Sequence, residues 1–355
     1  MQKYTKWLLL ILVAVLIAPS ATKTSAQASS FQLTSPGASP LGVFTTQQIA
    51  NTFGCSGGNV SPEFDWSGAP SGTQSFGLNI FDMDAPTGSG FWHWVVFNIP
   101  ASATSLPAGA GDPTKNVAPA GTIQAHNDGG MAGYVGPCPP QGDKPHRYLV
   151  TIFALKIDKI PLDATASAAL VGFYLNGNAI AKTSLVMLYG QPSTFKLTSD
   201  SVTKDSAFQN EQAANTFGCT GGNLSPALSW TGAPDGTKSY ALTMYDVDAP
   251  TGSGLWHWVL FNLPASTTSL PVGAGNPTKK LMPDGTVQIK SDTGAVGYTG
   301  ACPPPGDKPH RYLITLYALK VDKLPLDQTA TGALVGFYTN PNALGTATLI
   351  VSYGR

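Results

Sequence analysis

The chain contains one sequence twice, at a constant offset of 164 residues (219 − 55). Cys55 falls on Cys219, His93 on His257, Cys138 on Cys302, His146 on His310, and Tyr189-Gly190 on Tyr353-Gly354. The offset holds without a gap from Phe31 and Phe195 to the end. Self-similarity over so long a unit signals domain duplication rather than a solenoid of short repeats. The length of 355 residues suits two cores better than one. Residues 29–190 are therefore read as one domain and 195–355 as the other, joined by a linker over 191–194. The Pro192 in that linker breaks any continuous element, and its four residues give little reach, so the domains are expected to touch as an internal pseudo-dimer.

Residues 1–28 read as a secretory signal peptide. Lys3 and Lys6 supply the positive end and Trp7 to Ala18 the apolar run. Cleavage is expected near Ala26 or Ala28, with a secreted or periplasmic product and no transmembrane segment left after cleavage. From Phe31 to Gly190 there are 9 acidic and 6 basic residues, and from Phe195 to Arg355 there are 11 of each. Neither half carries the basic excess that nucleic-acid binding requires.

Within a repeat the pattern is mainly β. Ser75 to Phe81, Trp92 to Asn98, Tyr148 to Leu155 and Ser184 to Tyr189 are short apolar or alternating runs bounded by turn residues. Asp163 to Tyr174 has helical spacing after Pro161 and predicts one helix. Val60 to Pro70 and Leu106 to Gly121 read as long loops. Each half holds two Cys, 83 residues apart (138 − 55), so an exported chain is expected to form Cys55–Cys138 and Cys219–Cys302.

Three segments recur almost unchanged. Asp82-Met83-Asp84-Ala85-Pro86 matches Asp246-Val247-Asp248-Ala249-Pro250. Two carboxylates at spacing two share a strand face and need donors, a metal or a shared proton. Phe91-Trp92-His93-Trp94 matches Leu255-Trp256-His257-Trp258, with a His at the entry of an apolar strand. Gly136-Pro137-Cys138-Pro139-Pro140, continuing to His146-Arg147-Tyr148, matches Gly300-Ala301-Cys302-Pro303-Pro304 and His310-Arg311-Tyr312. Its Pro-Pro-x-Gly is a rigid turn that delivers His, Arg and Tyr to a strand start. Arg147 and Arg311 suit either an ion pair within their own domain or contact with a ligand.

These motifs together resemble the phosphatidylethanolamine-binding protein (PEBP) family, in its bacterial Raf-kinase-inhibitor-like branch, and they do so across both halves. The resemblance implies, in each half, a large antiparallel sheet packed on a smaller sheet with few short helices. It also implies a surface pocket for a small anionic ligand or phospholipid headgroup, with no cofactor. It places Asp82, Asp84, Pro86 and His93 on one wall of the first pocket, and Gly136, Pro139, Pro140, His146 and Tyr148 on the other. The second pocket uses Asp246, Asp248, Pro250, His257, Gly300, Pro303, Pro304, His310 and Tyr312. Imidazoles and backbone N–H groups would hold the anion, while carboxylates orient an imidazole or hold an ammonium. The C-terminal helix that gates the pocket in animal members is not recognisable. Other readings are an inhibitor-type protein-interaction module with an unknown partner and a metal-assisted hydrolase built on the Asp-x-Asp and His residues. Gly54-Cys55-Ser56-Gly57-Gly58 fits a nucleophile-elbow pattern, but the second half has Thr220 at the Ser position. Binding without catalysis is the expectation.

Overall fold

The protein is described from a computed structural model covering residues 30–355. The signal segment, with its cleavage near Ala26 or Ala28, lies outside the described residues. The first half contains β1 (Gln32–Thr34), β2 (Phe64–Ser67), β3 (Ser75–Asp82), β4 (Phe91–Pro100), β5 (Ser105–Leu106), β6 (Ile123–Gln124), β7 (His146–Leu155), α1 (Ala168–Asn178) and β8 (Ala179–Tyr189). The second half repeats the order: β9 (Lys196–Thr198), β10 (Leu228–Thr231), β11 (Ser239–Asp246), β12 (Leu255–Pro264), β13 (Ser269–Leu270), β14 (Val287–Gln288), β15 (His310–Leu319), α2 (Gly332–Thr339) and β16 (Ala343–Tyr353).

Each half is mainly β, as the repeat pattern implies. A five-stranded antiparallel sheet runs β6-β4-β3-β7-β8 in the first half and β14-β12-β11-β15-β16 in the second. Three-stranded sheets, β1-β2-β5 and β13-β10-β9, complete the two layers. The large sheet is covered on both faces, which explains why β4 reads as a continuous apolar run rather than an alternation. Trp94 and Val96 of β4 join Phe64, Trp66 and Ile80 on the side of the small sheet. Val95 and Phe97 turn the other way, onto Val171 and Leu175 of α1. The small sheet exists because part of the stretch expected to be loop, Phe64–Ser67, alternates buried Phe64 and Trp66 with more exposed neighbours.

The helix begins later than its apolar spacing suggests. Asp163 is held in a side-chain turn, with its Oδ1 accepting from the Thr165 backbone at 2.8 Å. Ser167 then caps the helix, its Oγ accepting from Leu170 N at 3.3 Å. The helix therefore spans Ala168–Asn178 rather than Asp163 to Tyr174. In the second half Thr331 takes the cap, and the segment Asn340-Pro341-Asn342 shortens α2 to 8 residues.

Both disulfides form as the spacing implies, Cys55–Cys138 and Cys219–Cys302. Among the described residues no helix is long and apolar enough to cross a membrane.

The halves touch through polar contacts at their edge strands. Thr346 of β16 donates its backbone N–H to the carbonyl of Gly142 at 2.9 Å. Arg311 sends its Nη1 to the carbonyls of Val186, on β8, at 2.7 Å and of Leu41 at 3.2 Å. An exposed edge leaves unpaired backbone groups open to other chains. Here each half meets the other's edge strand with its Pro-Pro-to-Tyr segment.

Candidate functional site

The ends of three neighbouring strands build the site. Asp82 closes β3, with Phe91 of β4 opposite on one side and Tyr148 of β7 on the other. His93 stands two residues into β4 and His146 is the first residue of β7. The Asp82 carboxylate is buried, and the pleat turns both imidazoles toward it. His146 Nδ1 lies 2.7 Å from Asp82 Oδ2, and His93 Nε2 lies 3.9 Å from the same oxygen. His93 Nδ1 donates to the Val135 carbonyl at 2.8 Å, which fixes that ring and leaves Nε2 facing the carboxylate. His146 Nε2 is 3.4 Å from Asp143, so a doubly protonated ring has a carboxylate at each nitrogen.

Electrostatics follow from this crowding. Burial alone would raise the Asp82 pKa, but the hydrogen bond from His146 with its charge, the nearby His93 ring and the Asp84 backbone N–H hold it below the ordinary carboxylate value. Burial pulls His146 down, and the bond to Asp82 with its charge more than reverses that, so its pKa is raised. Near neutral pH the pair is an ionised carboxylate beside an imidazole that readily holds a proton.

These groups open onto a cavity of about 200 Å³. Asp82, Pro86, His93, Gly136, Pro139, Pro140 and His146 line it. Phe53, Ala85, Thr87, Phe91 and Cys138 complete the lining. Gly136 is there for space. A Cβ on it would sit 2.4 Å from the backbone of Gln48 and Ala50, and its N–H is already donated to Asn59 Oδ1. It is therefore not a free anion donor.

Two expected pocket residues lie elsewhere. Asp84 does not share a face with Asp82, because β3 ends at Asp82 and the chain turns, with Asp84 N donating back to Asp82 Oδ1. The Asp84 carboxylate takes a two-point fork from Arg147 at 2.8 and 2.9 Å, and Lys144 at 3.2 Å. Arg147 is thus an ion-pair partner within its own domain. Tyr148 is fully buried beneath His93, their rings 5.1 Å apart edge-on, and belongs to the core. Its hydroxyl has no hydrogen-bond partner among the described residues.

The second half reproduces the cluster. His310 Nδ1 is 2.8 Å and His257 Nε2 3.9 Å from Asp246 Oδ2. Thr299 supplies the carbonyl for His257 Nδ1. Burial lowers the His257 pKa against the opposing charge of Asp246, and His310 is raised as His146 is. Asp248 pairs with Arg311 rather than joining Asp246, and Tyr312 is buried with an unpartnered hydroxyl. Gly300 again fills a gap no Cβ fits, with its N–H on Asn223. Pro250, Pro303 and Pro304 hold the matching positions in the repeat.

Two contributors have weaker sequence signals. Phe53, 63% exposed and with φ of 56°, sits at the rim beside the disulfide, and Phe217 repeats it. A bulky residue in left-handed backbone is uncommon, and its recurrence at one repeat position was the available clue. Gln191, in the linker, donates to the Pro139 carbonyl at 2.8 Å. Arg355 does the same for Pro303 at 2.7 Å, so the residue after each repeat braces its Pro-Pro turn.

Fold and site together define a tandem two-layer β protein with an imidazole–carboxylate pocket motif in each half. A profile of the family described as phosphatidylethanolamine-binding protein matches residues 42–190 and 199–354, and the chain belongs to that family. The UPF0098 protein YbcL of Escherichia coli is 50% identical over 165 residues, which is 46% of this chain and 90% of YbcL. YbhB of the same organism is 43% identical over 158 residues, 44% of this chain and 99% of YbhB. The crystal structure of E. coli YbcL, described as a new member of the mammalian PEBP family, is 47% identical and covers 46% of this chain and 99% of that one, at a TM-score of 0.45.

Proposed function

We propose that each half binds a small molecule through an anionic phosphate or carboxylate group, without chemical change to it. The observation that carries this reading is one ionised carboxylate held between two imidazoles at the wall of a cavity of about 200 Å³. Sites for drug-sized ligands occupy about 300–1,000 Å³, so this one suits a headgroup. His146, its pKa raised by the bond to Asp82, supplies the positive charge that the anion meets, and His93 Nε2 faces the same carboxylate at the cavity wall. The apolar proline and phenylalanine walls strengthen those charges by excluding water.

A hydrolase reading has less support. Asp82 and Asp84 face different partners, and among the described residues no group of three or more His, Cys, Asp or Glu is placed to hold a metal ion. Ser56 is exposed in a loop beside the disulfide, not on a strand-to-helix elbow. Export fits the apolar N-terminus and a disulfide in each half. A relative from Mycobacterium tuberculosis, 34% identical over 140 residues, carries the name putative lipoprotein LppC.

Calorimetry with phosphoethanolamine and with inorganic phosphate tests the reading. Two sites per chain are expected, with His93→Ala removing one and His257→Ala the other, and with affinity rising as pH falls and His146 and His310 protonate. Absence of heat, or binding that both substitutions leave intact, overturns it.

A further inference from the structure

Arg311 belongs to both halves at once. Its Nε and Nη2 fork onto Asp248 at 2.7 Å each, and its backbone N–H reaches Asp248 Oδ2 at 3.0 Å. Its Nη1 is held by two carbonyls of the first half, Val186 at 2.7 Å and Leu41 at 3.2 Å. Four of its five N–H donors are thereby fixed, and its side chain is only 9% exposed. Val186 lies on edge strand β8, where its carbonyl has no further strand to pair with.

From Arg311 a continuous chain of contacts leads into the second site. Asp248 donates its backbone N–H to Asp246 Oδ1 at 2.9 Å, and Asp246 Oδ2 holds His310 at 2.8 Å. His310 is also the residue before Arg311. In the first half the matching segment meets the second half through the Gly142 carbonyl, and among the described residues no guanidinium hydrogen bond matches that of Arg311. Arg147 binds Asp84 through Nε and Nη2, while its Nη1 makes no hydrogen bond among the described residues, and its side chain is 29% exposed.

We propose that Arg311 is a positioning residue for the second pocket, and that the first half, by gripping its guanidinium, holds the Asp246–His310 arm in its binding geometry. This rests on the ligand-binding reading above for its consequence, but not for its geometry. A planar fork can meet a carboxylate and two carbonyls together, which a lysine ammonium cannot do in the same plane. The second pocket is therefore coupled to domain docking, and the first is not coupled in this way. Single-domain relatives have no covalently attached partner to supply these carbonyls.

The test uses the full chain and two variants that keep the cation. Gly42→Ala places a methyl 2.6 Å from Arg311 Nη1, from the first half, without touching the pocket. Arg311→Lys keeps the charge beside Asp248 but loses the fork. The first readout is the titration of His310 by NMR, which needs no ligand. Burial depresses this ring, while Asp246, Asp248 and Asp307 raise it, the bond to Asp246 foremost. With the cation retained, a loosened arm lowers the His310 midpoint in both variants, and the His146 midpoint stays fixed. The second readout is calorimetry with phosphoethanolamine, in which one of two sites should weaken about three- to tenfold in each variant. A His310 midpoint unmoved in both variants overturns the proposal whether or not phosphoethanolamine binds. Absence of binding by the native protein, with the His310 shift present, rejects the ligand reading and leaves the positioning role standing.

Discussion

In the first half Asp84 takes both of its cations, Arg147 and Lys144, from its own domain. In the second, Asp248 takes Arg311, and the same guanidinium reaches across to the other half. The Asp and Arg are unchanged between the copies, as are the Lys at 144 and 308, yet the pairs serve different ends. The difference shows what fusion of two domains permits. In a homodimer a two-fold axis forces both copies to make the same contact. In one chain each copy keeps its pocket cluster while its surroundings drift. The helix seat shows the same freedom. Gly77 leaves room for Leu175, whose Cδ2 would lie 2.2 Å from any added Cβ. The second half has Ala241 and Thr339 there, a larger floor under a smaller side chain.

The sharpest way to break this comparison is to remove each arginine. Arg311→Ala leaves Asp248 and two carbonyls without their donor in a nearly closed site, and a loss of about 3 kcal/mol or more is expected. Arg147→Ala uncovers a partly solvated pair that keeps Lys144, and about 1–2 kcal/mol is expected. Urea unfolding of the two variants measures both. Equal losses would mean the contact between halves adds nothing to the second pair.

A smaller effect is expected from pH. His146 and His310 are raised in the folded protein, each by its bond to an aspartate working against burial. Their contribution is complete below the unfolded value near 6.5 and is lost as pH rises through the folded midpoint. His257 is lowered, by burial, so it acts in the opposite sense, and its contribution falls as pH drops through 6.5 and below. Asp84 and Asp248 are lowered by their arginines against burial, and their contribution disappears only in acid, below about 3.8. Melting temperatures should therefore decline from about pH 6.5 toward 8, and NMR midpoints should put His146 and His310 above His257. A midpoint for His257 above that of His310 contradicts this assignment.

How far the sequence could be read depends on what each signal measures. The repeat settled the two-domain plan because offset identity does not depend on folding detail. Buried strands such as β4 were legible because both faces are apolar. The small sheet was not, since Phe64–Ser67 is too short for its alternation to stand out among Gly and Pro. The helix start was misplaced because apolar spacing ran on through an Asp163 turn that only its side-chain hydrogen bond reveals. At the site, residue types pointed to the right segments. The split of Asp82 from Asp84, and the burial of Tyr148, depend on where β3 stops and how β7 pleats. The contact of Arg311 with Val186 joins positions 125 residues apart in different repeats, and nothing local to either encodes it.

The finest test of the comparison is a swap at the pocket rim. Phe91 lines the first cavity with its ring 4.9 Å from His93, and Leu255 stands at that position in the second half. Phe53 and Phe217 are both retained, so the copies differ by one aromatic face. An ammonium over an aromatic ring gains about 0.5–1 kcal/mol at an exposed site, or roughly two- to fivefold in affinity. If each half holds an anion near its paired imidazoles, an ammonium on the same ligand reaches the rim. The ratio of phosphoethanolamine to inorganic phosphate affinity should then be higher for the first half. His257→Ala isolates the first site and His93→Ala the second, so calorimetry can read each ratio alone. Phe91→Leu should bring the first ratio down to that of the second, and Leu255→Phe should raise the second to match. Ratios that ignore both substitutions would place the ligand's cationic end away from this rim, and the two pockets would then be equivalent at the one lining position where their side chains differ in aromatic character.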